Sequence, residues 1–138
     1  MDKVFFDQLE LPYAKYNIDV GSGTHGKQTG KMLAGIEEIL QQESPDAVLV
    51  QGNTNTVLSG AIAAVKLGIK VGIVEAGLRS YDRRMPEEIN RVLADHCSTY
   101  LFAPTPKSAE ILLHEASQKN RFSWLATQSW MRCTKTWK

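Results

Sequence analysis

Three polar segments carry the side chains of this sequence best suited to chemistry. Gly52-Asn53-Thr54 follows an apolar run at 47–51, Glu75 ends a second apolar run at 69–74, and a loop leads from there to Glu87. Carboxylates and amides that meet in one cleft can transfer protons and bind a polar ligand. Whether these side chains meet depends on the secondary structure that carries them.

Apolar runs and segments with helical spacing alternate along the chain. A glycine-rich loop at 21–30 precedes the first helix, which is expected to end at Ser44-Pro45-Asp46. The predicted strands are 16–21, 47–51, 69–75 and 100–103, and the later helices are about 57–67, 86–97 and 106–115. This alternation predicts a Rossmann-like α/β fold with a parallel sheet and flanking helices.

Two finer expectations follow from the apolar pattern. The unbroken run at 47–51 indicates a strand that is covered on both faces. In the helix that begins at Pro86, the apolar residues Ile89, Val92 and Leu93 are expected to point inward. Since ligands of open parallel sheets bind beyond the carboxyl ends of the strands, the three polar segments should converge on one cleft.

Structural roles compete with chemistry at two of these segments. Residues 53–56 are good helix N-caps, and capping explains them without any ligand. Glu87 and Glu88 follow Pro86 in the first turn of a helix, where acidic side chains favour the helix dipole. On composition and spacing alone, these structural roles are the better explanation for both.

Glu75 is harder to explain structurally, because Ala76 and Gly77 follow it and offer no side-chain partner. A carboxylate at the end of a buried strand is either paired with a cation or kept for chemistry. Arg79 and Arg91 are the candidate partners, and the sequence leaves both alternatives open.

Composition excludes several classes of function. The net charge of +1 over 138 residues gives no electrostatic basis for binding nucleic acid or an anionic membrane. No apolar run approaches the length of about 18 residues that spans a bilayer. Cys97 and Cys133 have neither metal-binding spacing nor a disulfide framework, so a reducing cytoplasm is the expected location.

Two long stretches resemble the signature region of the non-hydrolysing UDP-N-acetylglucosamine 2-epimerase family. They are VLVQGNTNTVLSGAIAAVKLGIKVGIVEAG (48–77) and VEAGLRSYDRRMPEEINRVLADHCSTYLFAPT (74–105), and YNIDVGSGTHGKQTGKML (16–33) is similar to the segment before them. The resemblance covers about residues 1–118, which predicts a partial Rossmann-like N-terminal domain of a two-domain GT-B fold.

The resemblance implies an isomerase that interconverts UDP-N-acetylglucosamine and UDP-N-acetylmannosamine for cell-surface polysaccharide precursors. The proton on sugar carbon 2 is removed and UDP leaves carbon 1, and UDP adds back after reprotonation on the other face. The family requires no cofactor and no metal, and its members are commonly homodimers. A hydrolysing epimerase, a GT-B glycosyltransferase and a non-enzymatic remnant are the alternatives, and the 138-residue chain alone is expected to be inactive.

Site residues are carried over position by position. Glu75 and Glu87 match two catalytic carboxylates, and Arg91 matches a substrate-binding arginine of the same cleft. Asn53 occupies the position of a catalytic Asp in the family's usual Gly-Asp-Thr, where it can hydrogen-bond the substrate but cannot accept a proton. Ile73 stands where the family often has His.

The last twenty residues differ from the rest of the chain. Residues 119–138 contain five Lys and Arg and no acid, and the three tryptophans of the chain all fall in this segment. With codons that these residues allow, residues 123–138 read two bases later encode VVGNTIVDAVYQNLE, which resembles the family's continuation. Our hypothesis is therefore that residues 119–138 are a frameshifted, non-native and disordered tail.

We expect rapid amide hydrogen exchange across residues 119–138, because their apolar residues follow no sustained period that could pack against a fold. The helix predicted at 86–97 provides the slowly exchanging internal control. Exchange as slow in the tail as in that helix would contradict the hypothesis.

Overall fold

The computed structural model describes residues 14–117 and 124–127, which form alternating helices and strands. The helices are α1 (His25–Glu43), α2 (Asn55–Lys66), α3 (Pro86–Cys97) and α4 (Pro106–Ser117). The strands are β1 (Ala47–Gln51), β2 (Lys70–Val74), β3 (Tyr100–Ala103) and β4 (Trp124–Thr127). They form one parallel sheet in the order β1-β2-β3-β4, which confirms the predicted α/β class.

Several element limits agree with the sequence. The strands at 47–51 and 100–103 have the predicted bounds. α1 ends before Ser44, whose φ of 45° turns the chain while its N–H still donates to the Leu40 carbonyl at 2.9 Å. The turn after α2 uses Gly68 at φ 74°, a conformation that favours glycine. No helix in the described ranges is long and apolar enough to cross a membrane.

The predicted strand at 16–21 is wrong, because this segment has no regular structure and does not join the sheet. Ile18 instead lies against Gly35 of α1, so closely that a β-carbon on Gly35 would collide with its side chain. The glycine-rich loop is also shorter than expected, since α1 already begins at His25.

The expectation that β1 is covered on both faces is wrong as well. Leu49 is 67% exposed, and burial alternates along the strand. α2 covers one face, where its Gly60 approaches Val50, while the described elements leave the face of Leu49 open. β1 is therefore an outer strand of the described sheet with a single packed face.

The orientation of α3 differs from the predicted one: Val92 is half-buried, and the other two apolar residues expected inside are exposed. Ile89 and Leu93 are 43% and 45% exposed, whereas Glu88, Asn90 and Asp95 are buried. The polar face of α3 lies against the loops that follow β1 and β2, and its side chains bond to their backbone groups. An apolar face would leave those buried backbone groups without partners.

The hydrophobic core lies between the sheet and the helices. It contains few large side chains, and much of it is alanine: Ala61, Ala63, Ala64, Ala76, Ala94, Ala103 and Ala109, packed with Val71, Ile73, Leu101 and Leu112. Each large core residue therefore accounts for a substantial share of the buried apolar surface.

The predicted non-native tail lies outside the described residues except at 124–127. Those four residues form β4, which pairs in parallel with β3. The structure thus has a strand where the sequence hypothesis expects none, and the hydrogen exchange measurement addresses these four residues directly. For the rest of 119–138 the hypothesis stays a prediction.

Leu101→Ala and Leu49→Ala form a matched pair that tests this packing. Leu101 is 1% exposed in β3, so its truncation should lower the free energy of unfolding by about 2–5 kcal/mol. Leu49 is 67% exposed, and its truncation should cost less than about 0.5 kcal/mol. Urea denaturation followed by circular dichroism measures both, and equal losses would contradict the described orientation of β1.

Candidate functional site

The carboxyl ends of β1 and β2 lie side by side, as the sequence predicts. Gln51 pairs with Val74 in the register of the two strands, and its side-chain amide donates to Glu75 Oε1 at 3.1 Å. Gly52 and Asn53 follow at the same edge of the sheet. The structure therefore brings the first two predicted site segments together.

Glu75 has an unusual backbone conformation, with φ at 71°. The next two residues are anchored, because the Ala76 N–H donates to the Phe102 carbonyl at 3.2 Å and the Gly77 N–H donates to Asp95 Oδ2 at 3.0 Å. The side chain of Glu75 is exposed beyond this anchored segment. A carboxylate on a fixed backbone and open to solvent is accessible to a ligand.

The structure also decides between the two alternatives for Glu75. Arg79 pairs with Asp95 and Glu115, and Arg91 pairs with Glu88. Within residues 14–117 Glu75 has no ion pair. The alternative in which Arg79 or Arg91 neutralises this carboxylate is therefore wrong.

Asn53 is held through its backbone. Asn90 of α3 donates to the Asn53 carbonyl at 3.0 Å and to Asn55 Oδ1 at 3.1 Å, and Asn55 lies 3.2 Å from His25 Nδ1. Thr54 occupies the N-cap position of α2 without a side-chain capping hydrogen bond. The predicted side-chain cap of α2 is therefore not formed. Asn53 itself is half-buried at the strand end.

The two acids at the start of α3 have different surroundings. Glu87 is exposed, while Glu88 is 3% exposed and accepts hydrogen bonds from the backbone N–H groups of Ser80 and Tyr81, each at 3.0 Å. Burial alone would raise the pKa of Glu88, but these two N–H groups and the charge of Arg91 outweigh it and lower the pKa. Glu88 thus fixes the loop 76–85 that separates Glu75 from Glu87.

Arg91 lies 16% exposed beside Glu88, with its Nη1 3.3 Å from Glu88 Oε2. Its Nε is buried and lacks a hydrogen-bond partner among the described residues. The ion pair with Glu88 therefore holds the guanidinium through Nη1.

A buried ionic network supports the same loop. Arg79 Nη1 donates to Asp95 Oδ2 at 2.6 Å, and its Nε and Nη2 donate to the two carboxylate oxygens of Glu115 at 2.9 and 2.8 Å. Burial opposes the guanidinium charge, but its bonds to Glu115 and Asp95 raise the pKa of Arg79, so it stays charged. Burial raises the pKa of Asp95 in spite of this neighbour.

The sequence analysis does not find the supporting residues Asn90 and Asp95, and it assigns Glu88 only to the helix dipole. All three lie on α3. Their sequence signal is weak: they are polar residues in a helix that is expected to pack against the core. The sequence suggests Arg79 only as a partner of Glu75. Arg79 lies in the loop 76–85, which has no periodic pattern from which its contacts could be predicted.

A groove of about 540 Å³ lies apart from these strand ends. It is lined by the exposed apolar face of α3 together with Arg79, Tyr81 and Glu115, and Asn53, Glu75, Glu87 and Arg91 do not border it. Within the described residues, no group of three or more His, Cys, Asp or Glu could hold a metal ion.

Comparison with known proteins gives a consistent result. A family model described as UDP-N-acetylglucosamine 2-epimerase matches residues 1–124. The chain is 63% identical over 121 residues to the UDP-N-acetylglucosamine 2-epimerase of Methanocaldococcus jannaschii, covering 88% of this chain and 33% of the relative. It is 47% identical over 119 residues to the UDP-2,3-diacetamido-2,3-dideoxy-D-glucuronate 2-epimerase of Pseudomonas aeruginosa, covering 86% and 34%.

Solved structures show the same similarity. The Methanocaldococcus jannaschii epimerase in complex with UDP-GlcNAc and UDP matches with a TM-score of 0.82 and 61% identity, over 90% of this chain and 34% of that one. The Neisseria meningitidis epimerase bound to UDP-GlcNAc matches with a TM-score of 0.80 and 32% identity, over 89% and 33%. The chain spans about a third of the length of these relatives.

Glu88→Gln should lower the free energy of unfolding at pH 7 and make that free energy depend less on pH. The lowered pKa means that the ionised Glu88 stabilises the folded state above the unfolded value of 4.5, and that this contribution is lost as the pH falls through the folded pKa. The variant should lose about 1–3 kcal/mol at pH 7 and less towards pH 3. Urea denaturation across this range measures the effect, with exposed Glu87→Gln as the control on the same turn. Coincident profiles for the two variants would contradict the role of Glu88.

Proposed function

Because the chain belongs to the UDP-N-acetylglucosamine 2-epimerase family, we propose that its strand ends form part of the active site of a non-hydrolysing 2-epimerase. The substrate of this proposal is UDP-N-acetylglucosamine and the product UDP-N-acetylmannosamine. The parallel sheet corresponds to part of the N-terminal half of the GT-B fold found in the solved relatives.

The observation that carries the proposal is the state of Glu75. An exposed carboxylate with no cationic partner in the described residues, at the carboxyl end of a parallel strand, is placed where ligands of such sheets bind. Among residues 14–117, the hydrogen bond to its side chain comes from Gln51 and uses Oε1, which leaves Oε2 available. Such a group can take or return a proton, as the inversion of sugar carbon 2 requires.

Glu87 is the second carboxylate of the proposed acid–base pair, and Asn53 is the third residue of the proposed site. Glu87 is exposed on the first turn of α3, and the loop 76–85 that joins it to Glu75 is tied down by Glu88. Asn53 lies at the end of the neighbouring strand and can hydrogen-bond the sugar, although its amide cannot act as a base. Two carboxylates on opposite sides of carbon 2 would suffice for removal of the proton and its return on the other face.

Elimination also needs donors that stabilise the departing diphosphate of UDP. We assign Arg91 to substrate binding, supported by the family resemblance at this position and by the ion pair with Glu88 that orients its guanidinium. The proposed sequence is loss of the carbon 2 proton, departure of UDP from carbon 1 to give 2-acetamidoglucal, and addition of UDP after reprotonation. None of these steps calls for a metal or a nicotinamide.

A second UDP-sugar deserves testing, because a relative at 47% identity is named for the 2-epimerisation of UDP-2,3-diacetamido-2,3-dideoxy-D-glucuronate. The relatives at 63% identity are named for UDP-N-acetylglucosamine, which favours that substrate. A homodimer in the cytoplasm is the setting that the family resemblance suggests, and both are part of the proposal.

A chimera tests the proposal: residues 16–118 replace the matching segment of the Methanocaldococcus jannaschii epimerase. We expect it to convert UDP-N-acetylglucosamine to UDP-N-acetylmannosamine, more slowly than the intact relative because Asn53 is not a carboxylate. Glu75→Gln should lower kcat by about 10²–10⁴-fold, and Asn53→Asp should raise it. Chromatography of the nucleotide sugars measures turnover.

The control is Glu38→Gln, which changes an exposed acid on α1 and should leave turnover unchanged. Free UDP with N-acetylmannosamine as the product would show the hydrolysing alternative instead. An inactive chimera, or full activity in Glu75→Gln, would overturn the proposed function, and no gain in Asn53→Asp would remove position 53 from the catalytic set.

A further inference from the structure

Glu75 occupies a backbone conformation that it would not adopt freely. Its φ of 71° lies in the left-handed region, which is unfavourable for a residue with a side chain. Such a conformation persists only where the surrounding structure enforces it. The direction of the carboxylate therefore depends on whatever fixes the residues beside it.

Two hydrogen bonds fix the chain directly after Glu75. One joins the Ala76 N–H to the backbone carbonyl of Phe102 in β3, at 3.2 Å. The other joins the Gly77 N–H to Asp95 Oδ2, at 3.0 Å. Gly77 itself has a φ of 77° and packs so tightly that a β-carbon would collide with the Ser108 carbonyl. Asp95 is thus the side chain that holds this turn.

Asp95 is itself immobilised. Its side chain is 1% exposed, and Arg79 donates to the same oxygen, Oδ2, that accepts from Gly77. Arg79 is in turn held by two hydrogen bonds to Glu115 of α4. The acceptor for Gly77 is therefore fixed from two helices, α3 and α4, at the point where the turn needs it.

From this arrangement we propose that Asp95 is a positioning residue, which sets the direction of the Glu75 carboxylate through its hydrogen bond to Gly77. The inference rests on the proposed function, because it concerns the residue assigned there to proton transfer. The competing explanation is that Asp95 only stabilises the fold by neutralising Arg79.

The two explanations separate because both hydrogen bonds use Oδ2, while Oδ1 is buried without a partner. In Asp95→Asn the amide oxygen can take the place of Oδ2 and keep both bonds, so that the charge is lost and the geometry is kept. Asp95→Ala removes both. Asp95→Glu keeps the charge for Arg79, but its longer side chain moves the oxygen away from the Gly77 N–H.

The first measurement uses the 138-residue chain and needs no activity. Scalar and residual dipolar couplings from ¹⁵N,¹³C-labelled protein report φ at Glu75, and hydrogen exchange reports the Gly77 amide. We expect Asp95→Asn to keep the positive φ and the protected amide although its Tm falls, and Asp95→Ala to lose both. A positive φ retained at Glu75 in Asp95→Ala overturns the proposal.

The second measurement uses the chimera that contains residues 16–118. Misplacement of a reacting group by about 1 Å can cost 10²-fold, so kcat should fall on the order of 10²-fold in Asp95→Ala. It should stay within about tenfold of the parent in Asp95→Asn, with KM for UDP-N-acetylglucosamine within about threefold in both. Equal kcat in Asp95→Ala and the parent overturns the proposal.

If Asp95→Ala does not fold, Asp95→Glu decides. A positioning role requires a higher kcat and better-kept φ at Glu75 in Asp95→Asn than in Asp95→Glu, and the reverse order supports charge neutralisation and overturns the proposal. The matched control is Asp82→Asn, which removes the charge that pairs with the exposed guanidinium of Arg84 in the same loop and should change neither readout. An inactive parent chimera refutes the proposed function, while the measurements on the 138-residue chain still decide the role of Asp95.

Discussion

The buried polar face of α3 is the feature on which the rest of the described structure depends. In the loops after β1 and β2, the N–H groups of Gly52 and Ala76 still bond to neighbouring strands, but the backbone groups farther along need other partners. Asn90 supplies one at Asn53, Glu88 supplies two in the loop 76–85, and Asp95 supplies one at Gly77. A single helix thereby fixes the two chain segments that carry the candidate site.

The architecture was predictable because it follows from local signals. Apolar runs of strand length, helix stops at Ser44-Pro45 and Gly68, and Pro86 at the start of α3 are all readable in the sequence, and the structure agrees with them. The orientation of α3 was not predictable in this way. Periodicity identifies an apolar face, but which face is buried depends on what lies opposite, and here that is a pair of loops with unpaired polar groups.

The candidate site was likewise predictable only where local signals determine it. The strand-end position of Glu75 follows from the pattern, because a carboxylate directly after a buried parallel strand must lie at the ligand-binding edge. The side chains that support it come from elements far along the chain, such as Asp95 and Glu115, and no local signal connects them. The strand prediction at 16–21 is wrong for a similar reason. The local pattern suits a strand, but Ile18 packs against Gly35 of α1, and the segment does not join the sheet.

At position 75, the residue types that best fit the left-handed backbone conformation are not the ones that the proposed chemistry needs. Glycine, or to a lesser degree asparagine, would relieve the local strain at that position, yet neither can exchange a proton there. A search for stabilising substitutions would therefore select against the carboxylate, as happens at sites where activity and stability compete. In the proposed function, Glu75 thus combines an unfavourable backbone conformation with the side chain that the reaction requires.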